Sequence, residues 1–251
     1  MSVKLYKYLR EEVFPTPFCP GCGHGILLQT ILRAIDELNI DIKKIVFVSG
    51  IGCAAWIPSP HFKADTLHTL HGRALAFATG IRITRPDLEV MVISGDGDLA
   101  AIGGNHLIHA ARRNLKIITI CANNSIYGMT GGQLSPTTPE NAKTETSPLG
   151  NLERPFDLCA LVKSCGASFV CRYTVFHPKQ LKNAIKRGFQ INGFSFIDVI
   201  SPCPTHFGRR NKMPTLYDFH QFIFKNIVSY EKAKSLKKEE LKDKIIIGEY
   251  E

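Results

Sequence analysis

The sequence predicts an α/β protein with a mostly parallel sheet and helices on both faces. Short, mostly apolar runs at residues 45–48, 90–93, 117–121 and 196–200 have the composition of strands that are buried on both sides. Segments with helical spacing of apolar residues alternate with these runs, as strand-helix-strand units require. With 251 residues and 44 % hydrophobic content, the chain can bury one sizeable core.

The first elements follow from local patterns. Apolar residues recur at helical spacing over residues 26–38, and Asn39 marks the end of that helix. The strand at 45–48 leads into the turn at 50–53. A proline-broken loop then runs to His68, and residues 74–84 form a second helix rich in small side chains.

The central unit consists of a strand that ends at Ile93, a helix over 99–113 and a strand over 117–121. Because such units cross over right-handedly, Asp96 and Asn124 follow the carboxyl ends of strands in one sheet. Open α/β sheets bind ligands at that edge. We therefore expect the two side chains to face one site.

The chemistry of these two residues favours a bound cation. A carboxylate and an amide oxygen suit Mg2+, which usually keeps coordination positions for phosphate oxygens. The glycines on either side of Asp96 let a phosphate approach the backbone closely. Gly-Asp-Gly alone is usually only a turn, but together with Asn123 and Asn124 at the next strand end it resembles the thiamine diphosphate-binding motif.

The second half continues the alternation after a long polar loop. This loop, 134–154, is long enough to indicate a functional cover or a partner contact. A helix over 156–165, a strand over 168–172 and a helix over 178–192 precede the last central strand, at 196–200.

We expect two parts in the chain. Residues 1–210 carry all the candidate motifs and form one domain, and residues 211–251 form a charged C-terminal extension. Within the extension, the pattern predicts a helix near 217–240 and a short apolar tail at 245–247.

Charge and hydropathy argue against two classes of function, nucleic-acid binding and membrane association. The net charge is +9, but the basic residues are dispersed and no nucleic-acid recognition motif accompanies them, so we expect no nucleic-acid partner. A basic surface of this kind could steer an acidic protein partner. No apolar run is long enough to span a bilayer and no signal peptide is recognisable, which predicts a cytoplasmic protein with no membrane contact.

Eight cysteines without a signal peptide favour metal or redox chemistry over disulfides. Four of them lie in a loop before a helix or directly after a strand: Cys19, Cys22, Cys53 and Cys203. Four thiolates can hold a 4Fe-4S cluster or a structural zinc ion, and their spacing does not decide between the two. The other four lie inside predicted elements and are expected to be ordinary buried residues: Cys121, Cys159, Cys165 and Cys171.

Six motifs in order along the chain carry a family resemblance. They are CPGCGH at 19–24, GIGC at 50–53, HGRA at 71–74, GDGD at 95–98, YGMTGGQ at 127–133 and CPT at 203–205. Together they resemble the β subunit of 2-oxoacid:ferredoxin oxidoreductases, and most of all the 2-oxoglutarate type. The resemblance covers about residues 10–210.

The resemblance implies three bound groups. Cys19, Cys22, Cys53 and Cys203 would hold a 4Fe-4S cluster, and Mg2+ would be bound by Asp96, Asn124 and the carbonyl of Ile126. Thiamine diphosphate would be lined by Ile51, Gly52, Cys53, Ala54, His71, Gly97, Asp98, Tyr127, Gly128, Met129 and Thr130. One departure concerns the substrate, because some relatives carry lysine where this chain has Gly131.

The implied activity is coenzyme A-dependent oxidative decarboxylation of a 2-oxo acid, with electrons passing through the cluster to ferredoxin. We take 2-oxoglutarate, giving succinyl-CoA, as the first choice, with pyruvate or a branched-chain 2-oxo acid as alternatives. The resemblance assigns the glutamate that activates the cofactor to an α subunit with a pyrimidine-binding domain, and γ and δ subunits could join the complex. We therefore expect no catalytic side chain in this chain.

Two hypotheses from other classes stay open at this point. A self-sufficient thiamine-dependent decarboxylase would need both cofactor-binding halves, and 251 residues hold only one. A non-catalytic scaffold, with zinc bound by the four cysteines, would be colourless. Within the motifs, His24 is expected to be structural, and Arg73 to contact a phosphate or a partner.

Overall fold

The computed structural model describes residues 3–251, and its centre is an eight-stranded sheet. The strands are β1 (Ile45–Ser49), β2 (Asp65–His68), β3 (Glu89–Gly95), β4 (Ile118–Asn123), β5 (Phe169–Thr174), β6 (Ser195–Ile200), β7 (Ile227–Ser229) and β8 (Ile245–Glu249). Their order across the sheet is β2-β1-β3-β4-β6-β5-β8-β7. All neighbours are parallel except β5 and β8. The predicted mostly parallel sheet is confirmed.

Helices cover both faces of this sheet. They are α1 (His24–Leu38), α2 (Ala74–Thr84), α3 (Gly104–Arg113), α4 (Leu158–Ser164), α5 (Pro178–Gln190), α6 (Leu216–Asn226) and α7 (Tyr230–Ala233). Buried residues of α1 and α5 form one core with one face of the strands. Those of α2, α3 and α4 form a second core with the other face. Because strand side chains alternate between faces, Phe47 packs in the first core and Val48 in the second.

Most predicted helices and strands lie within a few residues of their observed positions. The largest difference between prediction and structure in the first half lies in the predicted loop before His68. Part of this loop forms β2, a short, mostly exposed edge strand that pairs with β1. The predicted helix over 99–113 is divided, since a π-helical turn at Asp98–Ile102 precedes α3 and the break falls at Gly103.

The C-terminal part differs most from the prediction. A single helix over 217–240 is wrong, because α6 ends at Asn226 and is followed by β7 and α7. The apolar tail forms β8, which pairs antiparallel with Cys171 and Arg172 of β5. Residues 211–251 therefore add secondary structure to the main sheet. Within residues 3–251, no helix is both long enough and apolar enough to cross a membrane.

Candidate active site

The site is built at the carboxyl ends of four neighbouring strands, β1, β3, β4 and β6. Each strand is fully or almost fully buried, and each gives way at the same edge to a polar or glycine-rich turn. The Cys19–Cys22 loop before α1 is attached to the same edge, because the N–H of Gly23 donates to the carbonyl of Pro202 at 3.0 Å. The topology thus brings together segments that are far apart in sequence.

An open pocket lies between these turns, with an empty volume of about 490 Å3 that includes the part open to solvent. It contains all eleven residues expected to line thiamine diphosphate, together with the three expected to bind Mg2+. Three further lining residues, His24, Gly95 and Ala122, were not predicted as site residues.

Asp96 is 1 % exposed at the floor of this pocket. Its Oδ2 accepts hydrogen bonds from the hydroxyls of Ser135 and Thr137, both at 2.6 Å. Its Oδ1 accepts only a longer bond of 3.3 Å from the N–H of Asn124. Burial raises the pKa of Asp96, whereas these hydrogen-bond donors lower it. Among the described residues, no basic side chain contributes to the shift of this pKa. A bound cation would stabilise such a carboxylate.

The chain folds back on itself after β4. The amide oxygen of Asn124 accepts the N–H of Ile126 at 3.2 Å. In the turn that follows, the N–H of Tyr127 donates to the carbonyl of Gln133 at 3.0 Å, and the N–H of Gly132 donates to the carbonyl of Tyr127 at 2.9 Å. The Tyr127 hydroxyl donates to the carbonyl of Gly97 at 3.1 Å. A Cβ on Gly97 would lie 2.4 Å from the Tyr127 ring, so only glycine fits there.

Asp98 has a different environment, although it lines the same pocket. Its Oδ1 accepts the N–H of Ile51 at 3.1 Å and that of Gly72 at 2.8 Å, and its Oδ2 accepts the Ser94 hydroxyl. The Nδ1 atom of His71 lies 3.7 Å from Oδ1, and the His71 ring stacks on Tyr127 with a centroid distance of 6.0 Å. The carboxylate therefore connects the turns after β1 and β3 to the start of α2.

The four candidate cluster cysteines are free thiols that lie close enough to influence one another, and Cys53 lines the pocket. Cys53 and Cys203 both approach Gly128, where a Cβ would lie 3.5 and 3.8 Å from their Sγ atoms. Burial raises the pKa of Cys22 to about 12 and that of Cys53 to about 11, and neighbouring thiols of the group contribute to both increases. Across residues 3–251, no three His, Cys, Asp or Glu side chains stand close enough to hold a single metal ion.

The remaining cysteines are arranged as predicted in three of four cases. Cys121, Cys159 and Cys171 are fully buried in the sheet and α4, and burial raises the pKa of each thiol. Cys165 is only partly buried at the end of α4.

His24 links the cysteine loop to the pocket. It is 2 % exposed, and its Nδ1 lies 2.8 Å from the hydroxyl of Ser201, a residue directly after β6. Burial lowers its pKa to about 4, so the imidazole is neutral near pH 7. Its backbone N–H also bonds the Cys22 thiol. The expected structural role agrees with these contacts, but the ring is in addition part of the pocket wall.

The residues that sequence reasoning missed are mainly hydroxyls. Ser135 and Thr137 come from the long polar loop, and Ser94 and Ser201 flank strand ends. Serine and threonine are common in loops for local reasons, so no spacing pattern distinguishes these four from their neighbours.

Comparison with known proteins agrees with this geometry. Residues 50–199 match the family model of the thiamine pyrophosphate enzyme C-terminal TPP-binding domain. The chain is 52 % identical to the 2-oxoglutarate synthase subunit KorB of Methanothermobacter marburgensis, covering 97 % of this chain and 85 % of the relative. It is 46 % identical to the 2-oxoacid:ferredoxin oxidoreductase subunit beta of Saccharolobus solfataricus, over 75 % of this chain and 62 % of the relative.

A solved structure gives the same answer for the fold. The 2-oxoglutarate:ferredoxin oxidoreductase from Magnetococcus marinus, solved with 2-oxoglutarate, coenzyme A and succinyl-CoA bound, superposes with a TM-score of 0.85. The sequence identity is 34 %, and the match covers 99 % of this chain and 84 % of the other. The strand-end pocket, the matching thiamine-binding domain and these relatives together mean that the chain belongs to the oxidoreductase family of 2-oxoacid:ferredoxin oxidoreductase β subunits.

Proposed function

We propose that this chain is the thiamine diphosphate- and cluster-bearing subunit of an enzyme that oxidatively decarboxylates a 2-oxo acid in the presence of coenzyme A and passes the electrons to ferredoxin. The observation that carries the proposal is a pocket that Asp96, Asn124 and Cys53 line together, with the free thiols of Cys19, Cys22 and Cys203 close to one another and to Cys53. The 2-oxoglutarate type is favoured because relatives about half identical over nearly the whole chain bear that name. Residues 1–210 supply every proposed site residue.

The donor set of the pocket fits Mg2+ and a diphosphate. Asp96 supplies a carboxylate oxygen, Asn124 an amide oxygen and Ile126 a carbonyl, which are hard ligands with room for phosphate oxygens. Bound thiamine diphosphate supplies a carbon nucleophile and an electron sink for decarboxylation. The chain holds that cofactor through the proposed lining residues, with Gly97 and the turn after Tyr127 near the phosphates.

The four thiols fit an iron-sulfur cluster better than zinc. A zinc ion binds its sulfurs at about 2.3 Å, which requires the thiolates to be in mutual contact. In the part of the chain that the structure describes, no such compact set is present, and the family resemblance points to a four-iron cluster, which four cysteine thiolates hold. Burial makes it costly to ionise the thiols of Cys22 and Cys53. Bonds to iron in a cluster held by Cys19, Cys22, Cys53 and Cys203 would offset that cost.

The glutamate that activates the cofactor is proposed to come from a partner subunit. The three glutamates of the long polar loop, Glu140, Glu145 and Glu153, are all exposed, and Glu145 pairs with Arg210. An exposed carboxylate is poorly suited to general acid-base work in a desolvated site. Large exposed side chains such as Leu149 and Leu152, at 97 % and 93 %, also favour further chains in the complex. The α subunit, with γ and δ subunits where present, would fill this role.

The decisive test measures reduction of ferredoxin or a viologen dye by the purified complex with coenzyme A and, separately, 2-oxoglutarate, pyruvate and a branched-chain 2-oxo acid. We expect the fastest reduction with 2-oxoglutarate, and a rate close to zero for the isolated chain until its partner is added. A rate for the isolated chain equal to that of the complex would contradict the partner-supplied glutamate. A colourless, iron-free complex would instead favour the zinc scaffold.

The cluster assignment has its own matched pair of variants. Cys203→Ser removes a proposed ligand that follows β6, whereas Cys165→Ser changes a thiol at the end of α4, away from the pocket. We expect iron and sulfide analysis to give a lost or damaged cluster in Cys203→Ser and a full cluster in Cys165→Ser. A full cluster in Cys203→Ser refutes the ligand set.

A further inference from the structure

The two oxygens of Asp96 are held unequally by the surrounding chain. Oδ2 receives the hydroxyls of Ser135 and Thr137 at 2.6 Å each, while Oδ1 receives only the Asn124 N–H at 3.3 Å. Hydrogen bonds to a charged acceptor are roughly twice as strong as neutral ones, and these two are short. The environment therefore saturates Oδ2 and leaves acceptor capacity on Oδ1.

Both hydroxyls are buried and held in place by their own neighbours. Ser135 is 2 % exposed and Thr137 is 7 % exposed. The N–H of Ser135 donates to the Thr138 hydroxyl at 2.9 Å, and that hydroxyl donates to the carbonyl of Ser125 at 2.8 Å. The Thr137 hydroxyl also lies 3.1 Å from the amide oxygen of Asn123. The segment is thus attached to the turn after β4, which carries the other proposed magnesium ligands.

We propose that Ser135 and Thr137 are positioning residues that fix the Asp96 carboxylate so that Oδ1 faces the divalent cation. This inference rests on the proposed function, since it requires Asp96 to bind Mg2+. A hydroxyl has one proton, and a carboxylate whose Oδ2 accepts two such protons cannot rotate without breaking both bonds. The long polar loop therefore acts on the metal site through its first residues, although no atom of these two side chains coordinates the ion.

The expected consequence is weaker metal binding when either hydroxyl is removed. Partners that orient a ligand typically contribute about 10- to 100-fold to metal affinity. Thr137→Val keeps the shape of the side chain but removes the hydroxyl, and Ser135→Ala removes the other. Thr137→Ser restores a hydroxyl at nearly the same position and should recover most of the affinity.

The chain offers a matched control for these variants. The Thr119 hydroxyl on β4 is fully buried and has no hydrogen-bond partner among the described residues. Thr119→Val makes the same chemical change as Thr137→Val, also in the interior, but touches no carboxylate. We expect it to leave metal binding unchanged.

The experiment uses the complex with its partner subunits, stripped of Mg2+ with a chelator, and measures the Mg2+ concentration for half-maximal thiamine diphosphate binding by calorimetry. The visible absorption of the cluster serves as a check that each variant is folded. We expect a shift of about 10- to 100-fold in Thr137→Val and Ser135→Ala, and little shift in Thr137→Ser and Thr119→Val. Unchanged half-saturation in folded Thr137→Val and Ser135→Ala overturns the inference alone. Absence of Mg2+-dependent binding in the unaltered complex overturns the proposed function with it.

Discussion

Two carboxylates that lie two residues apart, Asp96 and Asp98, are both buried at the same strand end yet have different partners. Asp98 accepts two backbone N–H groups and one hydroxyl from three separate segments. Asp96 accepts two side-chain hydroxyls on one oxygen and a single long N–H bond on the other. In the Gly-Asp-Gly-Asp sequence the two residues look equivalent.

The difference separates a structural carboxylate from one that is available to a ligand. The Asp98 carboxylate accepts the backbone N–H groups of Ile51 and Gly72, so the loops that carry these residues depend on it. The close fit extends to Gly50, where a Cβ would lie 2.0 Å from the Asp98 carboxylate. Asp96 keeps unused acceptor capacity, which is what binding a metal ion requires.

A third buried carboxylate is expected to give the largest loss of stability in this comparison, because its partner is a charged side chain. Asp198 on β6 is fully buried, and the Nε of Arg172 donates to it at 2.7 Å. Arg172→Leu leaves that carboxylate unpaired in the sheet, so we expect the free energy of unfolding to fall by about 3–5 kcal/mol in denaturant titrations. Arg85→Leu, which breaks an exposed pair with Asp87, is the control and should change stability little. Equal effects in the two variants would contradict the cost of burying an unpaired charge.

Asp98→Ala tests the structural half of the comparison. Removal of the carboxylate leaves two backbone donors and the Ser94 hydroxyl without their acceptor, and each buried unsatisfied group costs about 1–3 kcal/mol. We expect the free energy of unfolding to fall by about 3 kcal/mol, measured on the purified chain without cofactors. A variant as stable as the unaltered chain would show that this carboxylate does not hold the turns together.

Asp96→Asn tests the ligand-binding half, with a smaller expected effect on stability. The amide oxygen can still accept the hydroxyls of Ser135 and Thr137, so we expect the free energy of unfolding to change by less than about 1 kcal/mol. Thiamine diphosphate and Mg2+ should be lost together in calorimetry, because the variant lacks the only negatively charged ligand among the proposed protein contacts, while the proposed cluster remains. Tight cofactor binding in this variant would contradict the motif assignment.

A buried histidine is expected to give the smallest effect on the free energy of unfolding. Unlike the carboxylates, it becomes positively charged when it ionises. His61 is fully buried, its Nδ1 lies 2.7 Å from the carbonyl of Trp56, and burial lowers its pKa. The unfolded chain therefore binds a proton more readily, so this histidine reduces stability progressively as the pH falls below about 6.5. We expect a shallower loss of unfolding free energy between about pH 7.5 and 5.5 in His61→Gln.

Local patterns were sufficient for much of the fold and for where the site lies. The helix at 74–84 and the buried strands could be predicted because periodicity and turn residues are encoded within a few positions. The four strand ends followed from topology, since parallel strands present their carboxyl ends at one edge. Those two rules bring Asp96, Asn124 and Cys203 together without any knowledge of side-chain packing.

The parts that failed depend on contacts between distant residues. The tail at 245–247 becomes a strand only because the edge of β5 accepts it, and Arg172 is satisfied there by the Tyr250 hydroxyl at 2.8 Å. β2 is a strand of ordinary polar composition that pairs with β1. Likewise, the roles of Ser135 and Thr137 arise from an approach across about 40 positions, which no local pattern encodes.

The position of β6 in the sheet has a consequence for protein synthesis. β6 pairs with both β4 and β5, yet it is made after both of them. At about 5–20 residues per second, the ribosome needs roughly 4 to 15 s to go from the end of β4 to the end of β6. During that interval the nascent chain presents open backbone edges on β4 and β5, and such edges template aggregation. Chaperone demand should therefore be highest before residue 200 is made and fall when β6 closes the gap, although the outer edge of β5 stays open until β8 is made.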